Sequence, residues 1–260
     1  MSVVGLLHPG AMGAALGVQL GAAGCEVRWA SDGRSPATAQ RAKAAGLQDV
    51  GTLDALAESQ VILSVCPPHA AEDVAKAVAA RGFTGTLVDG NAVAPATARR
   101  IGELASPARF VDGGIVGPPP SRAGTTRLHL SGAGADEVAA LFAGTTVEAR
   151  VHPGGAGAAS AIKVCFAAWT KGTAALLLAI RDLATAEGVE DGLLAEWATS
   201  LPDLAARSDA ARGTAAKAWR FVGEMEESAA AFAAAGLPCG FSQAAAEVYT
   251  ALAERQNHGG

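Results

Sequence analysis

The sequence predicts an α/β protein: a doubly wound parallel sheet over residues 1–153, then a smaller all-helical domain over 154–260, joined by a long interdomain helix. Three observations carry this. Short, nearly continuous apolar runs alternate with longer Ala-rich stretches through the first part. A glycine-rich turn, His8-Pro9-Gly10-Ala11-Met12-Gly13, follows the first apolar run directly. Beyond Val151 the strand pattern stops, and residues 156–186 carry no break stronger than Gly172. Strands read as continuous apolar runs when helices cover both faces of their sheet.

The elements follow in order. Val3-Val4-Gly5-Leu6-Leu7 is a buried strand, and residues 11–23 form the helix after the turn. A second strand spans 26–30, with a helix over 36–45 and a short third strand over 47–50. Val61-Ile62-Leu63-Ser64-Val65-Cys66 is the fourth, ended by Pro67-Pro68, with a helix over 71–81. Thr86-Leu87-Val88-Asp89 is the fifth, with a helix over 94–104; two more strands lie at 109–112 and 127–130. In the second part, helices are expected over 193–200, 203–218, 220–235 and 242–255. Gly236 and Pro238 mark the stop between the last two, and 255–260 is a frayed tail.

Composition excludes several classes. Of 260 residues, half are hydrophobic and 17% charged, the reverse of a disordered chain. The net charge of −5 shows no basic excess for nucleic acid, and 5% aromatics leave few platforms for stacking bases. Cys25, Cys66, Cys165 and Cys239 form no CxxC pair, so neither a zinc site nor a thioredoxin motif is expected, and they read as reduced thiols. The apolar N-terminus ends Ala22-Ala23-Gly24-Cys25, faintly like a lipoprotein cleavage site, but it lacks a basic leader and Pro9-Gly10 interrupt it. Lys163 and Lys171 leave only 172–180 uncharged in the long helix, against the roughly 20 residues of a membrane span. The expectation is a cytoplasmic protein acting on a small molecule, with no membrane, metal or nucleic-acid partner.

The turn after the first strand carries the cofactor reading. A dinucleotide site needs a tight turn, amides at a helix N-terminus and no side chain in the way of the pyrophosphate. Gly10 and Gly13 occupy the second and third glycines of GxGxxG, and His8 replaces the first. The two-glycine match is weak alone, and a purely structural turn competes with it; four further alternating units behind it supply the Rossmann context. Ser31 lies at the end of the second strand, 21 residues after Gly10. Ser31, Arg34 and Ser35 suit a 2′-phosphate through charge-assisted hydrogen bonds, whereas Asp32 argues for NAD. NADP(H) is favoured over NAD(H).

The order of these motifs resembles the β-hydroxyacid dehydrogenase superfamily, which includes 3-hydroxyisobutyrate dehydrogenases, 6-phosphogluconate dehydrogenases and imine reductases. The motifs are the turn, the strand ending Cys66-Pro67-Pro68, Asp89-Gly90-Asn91, Asp112-Gly113-Gly114, and a Gly-rich entry into a helix carrying Lys163. The turn and the segment 163–172 look most like a bacterial phosphogluconate dehydrogenase-like subgroup. The likeness covers nearly the whole chain. It implies cofactor contacts at His8, Pro9, Gly10, Ala11, Met12 and Gly13, at Val65, Cys66 and Pro67, and at Asn91, where the family often has Ser-Thr. It implies a catalytic lysine at Lys163, closing Gly157-Ala158-Ala159-Ser160-Ala161-Ile162-Lys163. It also implies a homodimer with interlocked C-terminal helices. The residues add their own argument: a lysine between Ile162 and Val164 either snorkels to solvent or sits in a cleft, where burial moves its pKa toward neutrality and suits it to acid–base work.

Three departures matter. Ala167 stands where the family often has Asn, with Thr170 and Lys171 near the same face. Ile115-Val116-Gly117-Pro118 replaces a Val-Ser-Gly-Gly loop that binds a carboxylate, and proline offers no N–H. Gly223-Glu224 replaces a Lys-Asp pair. The expected substrate site is therefore apolar, built from Ile115, Val116, Gly117, Trp169, Thr170 and Lys171 with Met225 nearby, and suited to a ketone or imine with a sizeable apolar part; Lys171 or Arg220 would meet any anion. Three readings stay open: an NAD(P)-dependent oxidoreductase on a carbonyl or alcohol, an imine reductase on the same scaffold, and a non-catalytic nucleotide-binding regulator.

Overall fold

The computed structural model describes residues 1–213 and 218–258. The chain divides into two compact units, Met1–Lys163 and Val164–Gly260. The division falls inside the helix Ala158–Ala186 (α7), where the sequence reading puts it at 153/154, because the first turn of that helix is hydrogen-bonded into the sheet.

In the first unit, strands β1 (Val3–Leu7), β2 (Glu26–Trp29), β3 (Gln48–Asp49), β4 (Val61–Ser64), β5 (Thr86–Asp89), β6 (Arg109–Val116), β7 (Thr126–Ser131) and β8 (Val147–Val151) form one sheet. Its order is β3-β2-β1-β4-β5-β6-β7-β8. The helices are α1 (Ala11–Ala22), α2 (Pro36–Ala44), α3 (Leu53–Leu56), α4 (Ala71–Ala79), α5 (Pro95–Leu104) and α6 (Ala135–Ala140). The chain reverses direction across the sheet between β1 and β4, which opens a crevice at the carboxyl ends of those strands.

One pairing differs from the all-parallel expectation. β6 and β7 run antiparallel, with Gly114 opposite His129 and Asp112 opposite Ser131. The link over 117–125 holds three prolines and is too short for a helical crossover, so a hairpin is the remaining solution. Thr126 Oγ1 donates to the Pro118 carbonyl at 2.7 Å and ties it. The elements α3, α6 and β8 are additions to the sequence reading.

Both faces of the sheet are packed. Leu6, Leu63, Val88, Val111, Leu128 and Leu130 meet Leu16 and Leu20 of α1 and Val138 of α6. Leu7, Ile62 and Leu87 meet Val78 of α4 and Ile101 of α5. Each buried Leu or Ile contributes roughly 1.5–3 kcal/mol, so the apolar runs follow directly from a doubly covered sheet.

The second unit holds the rest of α7 with α8 (Glu190–Ser200), α9 (Pro202–Gly213), α10 (Ala218–Ala234) and α11 (Gly240–His258). Residues 214–217, within the helix expected over 203–218, and 259–260, in the expected tail, lie outside the described residues. Ala167, Ala175, Ala218, Met225, Ala246 and Tyr249 form its core. Arg181 is buried: its Nε donates to Glu190 Oε1 at 2.7 Å, and its Nη1 to Ser208 Oγ at 2.7 Å and Asp209 Oδ1 at 3.2 Å. These bonds fasten α7 to α8 and α9. Among the described residues, α7 alone has the length and mean hydropathy (1.3) of a membrane span. A helix with a buried arginine in a polar network is placed within a folded bundle.

Candidate cofactor and catalytic site

The turn between β1 and α1 is as tight as the motif requires. His8 takes the left-handed conformation (φ 63°), and the Gly10 amide donates to its carbonyl at 2.6 Å. A Cβ on Gly13 would lie 2.8 Å from the His8 carbonyl oxygen, so α1 packs against the turn only because Gly13 has no side chain. Gly10 is different: its nearest neighbour there is 3.9 Å away, so its missing side chain faces open crevice. The N-terminus of α1 has no side-chain cap and no acidic residue in its first turn. Its amides are thus directed at the crevice, which fits the pyrophosphate of a dinucleotide.

The neighbouring strand ends complete this edge. Burial, then the charge of Arg34, hold His8 down at about 4, so its ring is neutral. The same guanidinium acts on Cys66, whose thiol is pushed up to about 11, first by burial. The Arg34 charge therefore reaches the ends of β1 and β4 together. Ser31 accepts from the Arg34 amide through its carbonyl at 3.0 Å, and Ser35 caps α2 by accepting from the Thr38 amide at 3.3 Å. Arg41, not singled out in the sequence, reaches back from α2 and donates to the Pro9 carbonyl at 3.2 Å. Val65, Cys66 and Pro67 follow β4 into the crevice.

Asn91 lies at the end of this edge. It is 2% exposed, and its amide is spent within the protein: Nδ2 donates to Asp89 and Ser64, and Oδ1 accepts from the Cys66 amide at 2.5 Å. It braces the β4 end instead of offering a free amide to a ligand. Asp89 beside it is raised to about 7 by burial and by nearby Asp112, with the Asn91 hydrogen bonds opposing.

Lys163 is positioned by a carboxylate the sequence reading passed over. Asp112, fully buried in β6, accepts from the amides of Gly157 and Ser160 at 2.9 and 3.0 Å and from Ser160 Oγ at 2.6 Å. Ser131 Oγ on β7 donates to the same carboxylate at 3.2 Å and accepts from the Ala159 amide at 3.0 Å. The first turn of α7 is thereby pinned across β6 and β7. Lys163 follows one turn on, its Cβ 3.0 Å from where a Gly114 side chain would begin. Gly114 is two residues beyond the β5–β6 pair Asp89–Asp112, so Lys163 lies at the carboxyl edge that carries the Gly-rich turn. The signal in the sequence was an acid closing an apolar strand before two glycines.

The expected substrate residues fall in both units. Ile115 packs in the sheet core, because alternation along β6 turns it to the face opposite Gly114. Val116 is buried in the sheet as well. Gly117 (φ 114°) is required by the hairpin, since a Cβ there would meet the Thr125 carbonyl. In the second unit, Trp169 is 63% exposed and Thr170 Oγ1 donates to its own helix at the Phe166 carbonyl, 2.8 Å away. Lys171 Nζ pairs with Glu224 at 3.1 Å and lies 5.3 Å from the centre of the Phe221 ring. Glu224 of α10 thus has its partner on α7. Met225 belongs to the helical core and lines no pocket wall.

Comparison with known proteins bears on the fold and on two segments of the chain. Residues 3–89 match a family model described as NADP oxidoreductase, coenzyme F420-dependent, and residues 184–252 match a domain of unknown function, DUF1932. An uncharacterised 28.5 kDa protein of Methanothermus fervidus is 31% identical over 171 residues, 65% of this chain and 66% of that protein. The match thus spans just under two thirds of that relative. A solved conserved protein of unknown function, described as structurally similar to 3-hydroxyacid dehydrogenases, superposes with a TM-score of 0.73 at 26% identity over 99% of both chains. A 3-hydroxyisobutyrate dehydrogenase from Salmonella typhimurium gives 0.71 at 16% identity over 100% and 95%. A reductive aminase from Aspergillus terreus gives 0.61 at 18% identity over 99% and 94%.

The class is therefore that of two-part proteins with a 3-hydroxyacid dehydrogenase-like fold. Two of these neighbours, a dehydrogenase and a reductive aminase, share the fold, and residues 3–89 carry the NADP oxidoreductase model. Within that class the chain resembles the hydroxyacid dehydrogenases and imine reductases, as its motif order implies.

Proposed function

We propose that this chain is an NADP(H)-dependent reductase or dehydrogenase of a carbonyl/alcohol pair, with Lys163 as general acid and base. The observation that carries it is the Asp112 clamp, which sets Lys163 on the same sheet edge as the Gly10–Gly13 turn. NADP(H), when bound, exchanges hydride with the substrate carbon. The α1 amides and the bare Gly10 take the pyrophosphate, and Arg34 with Ser31 and Ser35 takes the 2′-phosphate. The Lys163 ammonium gives its proton to the carbonyl oxygen during reduction; the neutral amine accepts it in the other direction. An imine nitrogen takes the same proton, so imines belong in any substrate panel.

We also read the chain as a cytoplasmic homodimer. Phe166, Trp169, Leu176 and Leu183 are exposed along one side of α7, the last three at seven-residue intervals, which is the spacing of a helix seam. The test of the reading is a fluorescence titration with NADPH and NADH, followed by oxidation assays over ketones, hydroxy acids and imines. NADPH binding at least tenfold tighter than NADH, weakened toward equality in Arg34→Gln, is the expected outcome; equal binding of both cofactors by the wild type removes the NADP(H) assignment.

A further inference from the structure

β7 and β8 carry a basic cluster on the sheet face occupied by Lys163. Leu128, Leu130 and Val147 point to the opposite face, toward α6. Strand alternation therefore turns Arg127 and His129 of β7, and Glu148 and Arg150 of β8, to the α7 face, with His129 opposite Arg150 in register. His152 follows β8, and its Nε2 lies 2.7 Å from His129 Nδ1, the rings stacked with centroids 5.0 Å apart.

Lys163 is close to this cluster. Gly114 faces His129 across the antiparallel pair, and directly opposed Cβ positions lie roughly 4.5–5.5 Å apart. Adding the 3.0 Å from that Gly114 position to Lys163 Cβ brings the roots of the two side chains within about 9 Å. His152, Arg150 and Arg127 all act on the His129 ring, and the one acid among them, Glu148, holds Arg150 at 2.7 Å.

We propose that His129, His152, Arg127 and Arg150 form an anion subsite for the carboxylate or phosphate end of the substrate whose carbonyl Lys163 protonates. This deepens the reductase reading above and rests on it for the substrate role. It also supplies the grip lost where Ile115-Val116-Gly117-Pro118 replaces a carboxylate-binding loop. The substrate is then a short carbonyl compound with its anionic group a few bonds from the carbonyl. Burial, then His152, Arg150 and Arg127, hold His129 below its ordinary value, with Glu148 opposing. An anion placed among these groups reverses that balance, so it binds with uptake of a proton, more tightly at lower pH; Lys163 stands on α7 over the same sheet face, its Cβ 3.0 Å from the Gly114 position.

The test uses the full chain and sulfate, whose charge is constant over the relevant pH. Saturable binding is expected by calorimetry, tighter at about pH 6 than at about pH 8. It should weaken roughly tenfold in each of Arg127→Gln and Arg150→Gln, whose partly exposed side chains leave the core intact. It should tighten in Glu148→Gln; any sulfate taken up at the cofactor turn is a separate event, lost in Arg34→Gln, that leaves the Arg127- and Arg150-dependent binding in place. Absence of saturable binding, or loss confined to Arg34→Gln, which places the ion at the cofactor turn, overturns the proposal. A second arm follows NADPH oxidation with acetoacetate and with its methyl ester. A KM for the acid at least tenfold lower, equalised in Arg150→Gln, supports the subsite; equal use of acid and ester by the wild type overturns it. Turnover of neither compound, together with sulfate binding lost in Arg127→Gln and Arg150→Gln, counts against the reductase reading and for the anion subsite.

Discussion

At the residue scale, much of the site depends on groups that hold other groups in place. Gly13 shows the tightest case. Gly13→Ala puts a methyl 2.8 Å from the His8 carbonyl and should displace the turn, weakening NADPH binding at least tenfold while the helical unit stays folded; titration against circular dichroism separates the two. Asp89 makes a pH-dependent prediction. Its carboxyl is raised from 3.8 to about 7, so the folded state holds the proton more tightly than the unfolded chain. Its contribution to stability is therefore full below about 4 and is lost as pH rises toward about 7, by up to a few kcal/mol. Asp89→Asn keeps an acceptor for Asn91 and removes the titration, so denaturant melts of the variant should lack this fall across that range. Glu190 behaves oppositely. Hydrogen bonds from Arg181, then Arg212, lower it from 4.5 to about 2, so its contribution is present above 4.5 and fades as pH drops toward 2. Glycines and Lys163 were legible in the sequence because their motif spacing is rigid. Asp112, Ser131 and Ser160 were not, since they meet only after β6, β7 and α7 come together from distant stretches.

At the element scale, α7 decides where Lys163, the proposed acid and base, stands. Removing its clamp leaves several buried donors without an acceptor, each worth about 1–3 kcal/mol. Asp112→Ala should therefore destabilise the first unit by several kcal/mol in a denaturant melt, and Asp112→Asn by less, because one oxygen still accepts. The seam along α7 is tested separately: Leu176→Glu with Leu183→Glu should convert a dimer to a monomer in light scattering, with each unit still folded. The strands with continuous apolar runs, β1, β4 and β5, were plain from composition, as was α7 from its length. β6 was read too short, since Gly113 and Gly114 hide its continuation, and its antiparallel partner was unforeseen because register with β7 is a tertiary fact. Met225 and Ile115 were assigned to a pocket for their apolarity, yet apolarity marks core and pocket alike; only the face on which each residue falls separates them.

At the scale of the whole molecule, the dinucleotide crevice, its turn and the edge-bound lysine are properties of the first unit. The second contributes a helical bundle fastened by Arg181 and by the Lys171–Glu224 pair. Arg181→Met should lower the stability of that bundle while leaving cofactor titrations unchanged, read by calorimetry with and without NADPH. Sequence sufficed for the class of fold because a doubly wound sheet imposes its pattern on every strand. The proposed anion subsite was less legible, for its side chains come from β7, β8 and His152, which no short motif links.

The central claim is that Lys163 moves the proton while the Gly-rich turn holds the cofactor. The most direct test is single-turnover oxidation of NADPH by Lys163→Ala beside the wild type, with a substrate drawn from the carbonyl panel. NADPH affinity within twofold of wild type and a hydride-transfer rate lowered by roughly 10²–10⁴ is the expected result. A variant that binds NADPH normally and oxidises it at the wild-type rate contradicts the account.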